Sequence, residues 1–236
     1  MKKRVILLLF SIASVSAQAQ TTDNQLWTAF QTETELTKHL TLGLSLEARF
    51  DQDVTRLRTV FGQVEFDWKF NKYLSASVSY RYGGRKYDDE LSEFTKAHRV
   101  SAYVTGKYKF KKFSIGGLNV NSFTISNRAG YFNQYLVDPP EDKVTPQKYF
   151  RNKSQLKYDI TKKLSTFAYF EFFYRFSGDV QEVDENRYAG GFEYDFNKKN
   201  SVKLMYMYLT EVNVKPKNKD DRNIISVGYT LKLLAK

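Results

Sequence analysis

The chain contains no cysteine. A disulfide framework and a thiolate metal site are therefore excluded. It has only two histidines, His39 and His98, and four prolines, Pro139, Pro140, Pro146 and Pro216. Beyond the first residues there is no run of eighteen apolar residues, so membrane-spanning helices are excluded as well. What the chain has in abundance is aromatic side chain, with 17 Tyr and 19 Phe. Many aromatics in a polar chain suit a barrel, in which only every second strand residue needs to be apolar and aromatic girdles mark two interfaces.

The N-terminus reads as a secretory signal peptide, residues 1–19. Lys2, Lys3 and Arg4 form a positive start, an apolar stretch follows from Val5 to Val15, and Ala17-Gln18-Ala19 offers the small-x-small cleavage site. Residues 20–236 then form a single domain with no linker. No cysteine follows the cleavage site, so a lipid anchor is not expected. Loss of Lys2, Lys3 and Arg4 lowers the formal charge from +11 to +8. A basic chain often meets nucleic acid, but a secreted one does not, and none is expected here. The expected partners are outer-membrane lipid, lipopolysaccharide and the barrel insertion machinery, with the protein a monomer and no cofactor bound.

One phrase occurs five times: an apolar residue, then Asn, Thr or Lys, then Lys, then Ser or Thr. The copies begin at Leu36, Phe70, Phe110, Ile160 and Phe196, and place Lys at 38, 72, 112, 162 and 198. Each lies between runs of alternating apolar and polar residues, which is hairpin grammar. One face carries Leu40, Leu42, Leu44, Leu46; Val60, Val64, Phe66, Trp68; Val100, Ala102, Val104; Leu164, Phe170, Phe172; Leu204, Tyr206, Tyr208; and Ile225, Val227, Tyr229. A spacing of roughly 35 residues fits two strands of about ten residues and one longer loop. The expected fold is all-β: a transmembrane up-and-down antiparallel barrel of 10–12 strands, with short periplasmic turns and longer extracellular loops.

The loops are expected near 51–56, 83–96, 127–150, 177–186 and 212–222, where all four prolines fall, as strand interiors require. The apolar phase slips at Gly116-Gly117, which suggests a bulge. Eleven segments alternate. Ten antiparallel strands plus an N-terminal segment, Leu26 to Leu36, that pairs with the closing strand or folds inward fit best; twelve strands is the other option.

Leu26-Trp27, the repeated turns, Tyr80-Arg81-Tyr82, His98-Arg99 and the closing Gly228-Tyr229 together resemble the outer-membrane barrel family catalogued as domain of unknown function 2490. The likeness spans the mature chain. It implies envelope location and barrel fold, and it carries no assigned activity.

The face opposite the apolar one is rich in charge: Glu47, Arg49, Glu65, Asp67, Arg81, Arg99, Lys107, Arg151, Lys153, Glu171, Arg175, Arg187 and Glu193. In a narrow barrel these line the lumen and pair across it, because buried charge must be compensated. The expected pairs join Arg81, Arg99, Arg175 and Arg187 to Glu47, Glu65, Glu171 and Glu193. Catalysis is not expected. A barrel lipase has Ser two residues from its His, whereas Val100 stands two after His98, and neither histidine follows the Asp-x-His pattern of barrel proteases. His98 reads as a polar residue at the outer rim, and the loop acids at 88–90, 138–142, 182–185 and 220–221 as solvated. The expected function is a narrow, charge-lined channel or transporter for a solute. The alternative is a structural or binding barrel whose loops engage glycolipid, polysaccharide or a partner.

Overall fold

A computed structural model describes residues 23–86, 93–115, 118–137, 145–177, 180–212 and 221–233. The expected signal peptide lies outside the described residues, as do the acids at 88–90, 138–142 and 220. The strands are β1 (Asp23–Glu35), β2 (Leu40–Asp51), β3 (Arg56–Lys69), β4 (Leu74–Arg85), β5 (Thr95–Phe110), β6 (Phe113–Ile115), β7 (Leu118–Val120), β8 (Phe123–Leu136), β9 (Gln147–Asp159), β10 (Leu164–Ser177), β11 (Val180–Asp195), β12 (Asn200–Glu211) and β13 (Arg222–Leu233). Eleven of them close into a barrel, and β6 and β7 pair only with each other.

Barrel neighbours run antiparallel with one exception. β1 lies parallel to β13, in register from Asp23 opposite Arg222 to Thr34 opposite Leu233. Its other edge is antiparallel to β2. The N-terminal segment therefore pairs with the closing strand, as its polar alternation suggested. Phe30 stacks on Tyr229 across this seam, with ring centres 5.9 Å apart.

The repeated phrase explains itself at the turns. In the copies at 36, 70, 160 and 196 the second residue closes the turn with its side chain. Thr37 Oγ1 accepts from the amides of His39 and Leu40. Asn71 Oδ1 does so for Tyr73 and Leu74, Thr161 Oγ1 for Lys163 and Leu164, and Asn197 Oδ1 for Lys199 and Asn200. An acceptor on a short side chain is what such a turn needs. Lys72, in one of these turns, is held above the ordinary lysine value by its side-chain contact with Tyr73.

The fifth copy departs from the expectation. Its second residue is Lys111, which offers no acceptor. The chain makes no tight barrel turn after Phe110 but continues into the β6–β7 hairpin before entering β8 at Phe123. Gly116-Gly117, where the apolar phase slips and a bulge was expected, lie outside the described residues.

The loop boundaries also need correction. β8 runs to Leu136 and β9 starts at Gln147, so most of 127–150 is barrel wall. The outward positions there mix polar Asn127, Asn133 and Lys148 with Ala129, Tyr131 and Phe150, which hid the strands. Asn127 donates to Asn152 Oδ1 at 3.0 Å and Ser154 Oγ at 2.8 Å, and Asn152 donates back to Asn127 at 3.2 Å. Side-chain amides that satisfy one another can occupy an outer face without a water partner. The 177–186 loop contracts too, since β11 begins at Val180. A register shift sets Phe173 opposite Glu185 and Tyr174 opposite Val183, leaving Asp184 as the extra residue. Such a bulge re-aims side chains.

The two faces of the wall differ sharply. Leu44, Leu46, Val78, Val100, Val104, Leu156, Phe192 and Leu204 are exposed on the outside, while Phe61, Tyr103, Phe132, Phe167 and Phe173 are buried inside. One interior patch is apolar: Trp27, Phe167, Ala189, Met205, Met207, Leu209 and Ile224 form a cluster on the wall made by β1 and β10–β13.

Candidate functional site in the barrel lumen

Inward aromatic rings and inward cations are layered on one another. Arg49 lies over Trp27 with 3.6 Å from its guanidinium carbon to the ring centre, and Arg81 over Phe61 at 3.7 Å. Arg99 covers Phe132 and Arg128 covers Tyr103, both at 4.3 Å, and Arg187 covers Phe173 at 4.4 Å. Lys153 sits 3.8 Å from the Tyr169 ring and Lys203 4.4 Å from that of Phe167. Away from water such a contact contributes about 2 kcal/mol. These stacks let a cation-rich interior fill space without an equal number of acids.

The carboxylates that are present bind near neighbours. Glu47 takes Arg49 of its own strand at 2.5 Å. Glu171, almost fully buried, bridges Arg151 at 2.6 Å and Arg187 at 3.4 Å. Arg187 also donates to Glu185 at 2.5 Å. Glu65 binds Arg128 at 2.9 Å and Glu193 binds Lys157 at 2.8 Å. Arg175 lies 3.4 Å from Glu182 and 3.2 Å from Asp184, whose carboxylate also accepts from the Tyr149 hydroxyl. Lys107 occupies an inward position of β5 near the turn end, exposed.

The structure thus places the expected lumen charges on the inner wall but pairs them differently. Of the expected pairs, Arg187–Glu171 forms. Glu47, Glu65 and Glu193 choose Arg49, Arg128 and Lys157, and Arg175 turns to the β11 acids. The acids at 182, 184 and 185 are not solvated loop residues; they belong to a strand and hold arginines. Arg81 and Arg99 meet glutamines: Arg81 Nε donates to Gln63 Oε1 at 2.9 Å, and Arg99 Nε to Gln134 Oε1 at 3.0 Å. Arg128 escaped the sequence reading because it fell in the supposed third loop. The run Ser126, Arg128, Gly130, Phe132, Gln134 carried the inward signal, but polar Asn127 and Asn133 opposite masked it.

Toward the loop end these side chains surround a cavity of about 360 Å³. Its wall includes Arg49, Arg81, Arg85, Arg99, Arg151, Arg187 and Arg222, against Glu47, Glu171, Asp184, Glu185 and Glu211. Seven arginines face five carboxylates, so the wall is cationic. A smaller pocket of about 70 Å³ adjoins it and shares Arg49, Arg81, Arg85, Arg99 and Gln134. A third space of about 370 Å³ nearer the turn end is lined by Glu33, Glu65, Asp67, Lys69 and Arg128. Among the described residues, no group of three His, Cys, Asp or Glu is placed to hold a metal ion. His98 is turned outward, its Nδ1 2.5 Å from the Tyr80 hydroxyl and its ring 4.9 Å from that of Tyr82.

A family model described as protein of unknown function (DUF2490) matches residues 24–220. The chain belongs to this family. The match begins at the second residue of β1 and ends before β13, so β1 lies within the matched region and its seam partner beyond it. A search of the curated proteins gave no match.

Proposed function

We propose that this family member is an outer-membrane barrel, reached by way of a cleaved signal peptide, that admits a small solute into a narrow, charge-lined lumen without catalysing a reaction. The observation that carries this reading is the inverted wall. Large apolar side chains such as Leu46, Val78, Val104 and Tyr206 are more than half exposed on the outside, while arginine, lysine and glutamate fill the inside. A soluble barrel has the opposite distribution, and a water-soluble monomer rarely exposes a continuous apolar patch beyond several hundred Å². A hydrocarbon surround removes that cost. Eleven strands lie between the side-chain-filled eight-stranded case and the open porins of 16–18 strands, so long inward side chains narrow the passage. The layered cations favour an anionic solute.

The bridges Arg151–Glu171–Arg187 and Arg128–Glu65 support a second reading, a closed structural barrel that binds lipid or glycolipid. Planar-bilayer recording on purified protein separates the two. The passage reading expects small, anion-selective conductance. A silent barrel that binds glycolipid would favour the second, and stable conductance of porin size would defeat the narrow lumen. Recovery from the soluble periplasm without detergent would overturn the location.

A further inference from the structure

We propose that Arg81 and Arg99 form a binding site for an oxoanion group, phosphate being the type case, on the lumen wall. Four observations converge. Arg81 and Arg99 are direct cross-strand partners on β4 and β5, and like charges so placed repel. Among the described residues neither has a carboxylate within ion-pair distance; their partners Gln63 and Gln134 accept hydrogen bonds but bring no charge. Each guanidinium lies over an inward ring, Phe61 or Phe132, so its N–H groups bond in the plane; Gln63 takes Nε of Arg81 and Gln134 takes Nε and Nη2 of Arg99, which leaves the outer N–H groups of both for an anion. Both line the pocket of about 70 Å³, where the charged residues are Arg49, Arg81, Arg85 and Arg99.

The rest of the lumen sharpens the contrast, since Arg151, Arg175, Arg187 and Arg128 each hold a carboxylate. Two planar forks held side by side match the geometry of an oxoanion, which can accept paired bonds from each. Glutamine in place of glutamate is the telling choice: it orients the arginine and leaves its charge available. The close packing of Gly83 belongs to the same corner. A Cβ there would stand 2.2 Å from the Val60 carbonyl oxygen and 2.4 Å from Phe61 Cβ, so a bulkier residue would push β3 and β4 apart beside the pocket. The larger cavity shares these arginines and has room for the remainder of a small polar molecule.

This inference deepens the passage reading and rests on it for its physiological sense, but binding is measured without transport. Isothermal titration of the detergent-solubilised barrel with sodium phosphate is expected to show saturable binding. Arg81→Gln and Arg99→Gln are each expected to weaken it at least tenfold, and the double variant to abolish it. Lys107→Gln removes the same charge eight residues further along β5, about 27 Å away, and is expected to change affinity less than twofold. A titration with a sugar phosphate separates the sources: tighter binding than phosphate assigns the site to an oxoanion carried on a larger molecule, and weaker binding to the free ion. Should the arginine variants fail to fold, phosphate is expected to protect Arg81 and Arg99 of the unaltered protein from an arginine-selective dicarbonyl, mapped by mass spectrometry. Undiminished phosphate binding by the double variant, no binding by the wild type, or no protection overturns the site. Binding that depends on Arg81 and Arg99 in a barrel that never conducts would keep the site and defeat the passage; conductance without phosphate binding would do the reverse.

Discussion

At the scale of single residues, the turn position held by Thr37, Asn71, Thr161 and Asn197 shows how little chemistry a hairpin needs. One acceptor reaches two amides that would otherwise face the end of the strand pair unsatisfied. A net hydrogen bond contributes about 1 kcal/mol. Asn71→Ala and Thr161→Ala are therefore expected to lower stability by about 1 kcal/mol each, measured as a shift of the urea midpoint for unfolding from lipid vesicles. Lys72→Ala and Lys162→Ala, which leave the acceptor in place, are expected to stay within about 0.5 kcal/mol. The lysine is the most regular letter of the repeated phrase, yet the residue before it closes the turn. Lys111 makes the same point from the opposite side: with the acceptor gone, so is the tight turn.

At the scale of the strand, side-chain alternation decides which face meets which medium. On β2 and β5 the outward Leu44 and Val104 alternate with the inward Ser45 and Thr105. In the proposed membrane setting, Leu44→Arg and Val104→Arg are expected to cost about 2–4 kcal/mol and to impair refolding into vesicles. Ser45→Arg and Thr105→Arg are expected to refold nearly as well as the parent, because the lumen can solvate or pair the new charge. Equal tolerance at both phases would mean that the surround is water. Alternation was legible in the sequence wherever the outward residues were apolar, which located most of the strands and the turns. It was not legible on β8 beyond Asn127 or on the first half of β9, where Asn127, Asn152 and Ser154 bond to one another on the outside, nor at the start of β11, where acids are carried in a strand by Arg175 and Arg187. The lumen charges could be assigned to a face, but their pairing could not be read. Which carboxylate an arginine meets depends on register, on the Asp184 bulge and on the rings that compete for its flat face. The apolar interior cluster was hidden for a related reason. Met205, Met207 and Leu209 continue an inward series that begins with Ser201 and Lys203, so the inner face changes character halfway along β12.

At the scale of the whole molecule, the feature with the widest reach is the parallel seam. Asp23 sits beside Arg222, and its carboxylate accepts from the amide of Asp53 in the β2–β3 loop. β13, by contrast, ends at Leu233 beside Thr34, next to the first tight turn. An even-stranded barrel returns both ends of its chain to one side. Here the odd strand puts the start of β1 and the end of β13 at opposite ends of the barrel, a polarity that, in the proposed membrane setting, would be addressed from either compartment. If the turns face the periplasm, an epitope inserted just before Asp23 would be displayed on intact cells, whereas one joined after Lys236 would be reached by antibody only after the outer membrane is permeabilised. Detection of both epitopes on intact cells, or of neither, would be incompatible with that arrangement. In the proposed membrane setting, the same asymmetry would require the leading end of β1 to reach the far leaflet before the seam could form along its whole length. Closing the barrel joins two strands that run in the same direction, so the first and last strands of the fold hold each other's edge without any turn to tie them.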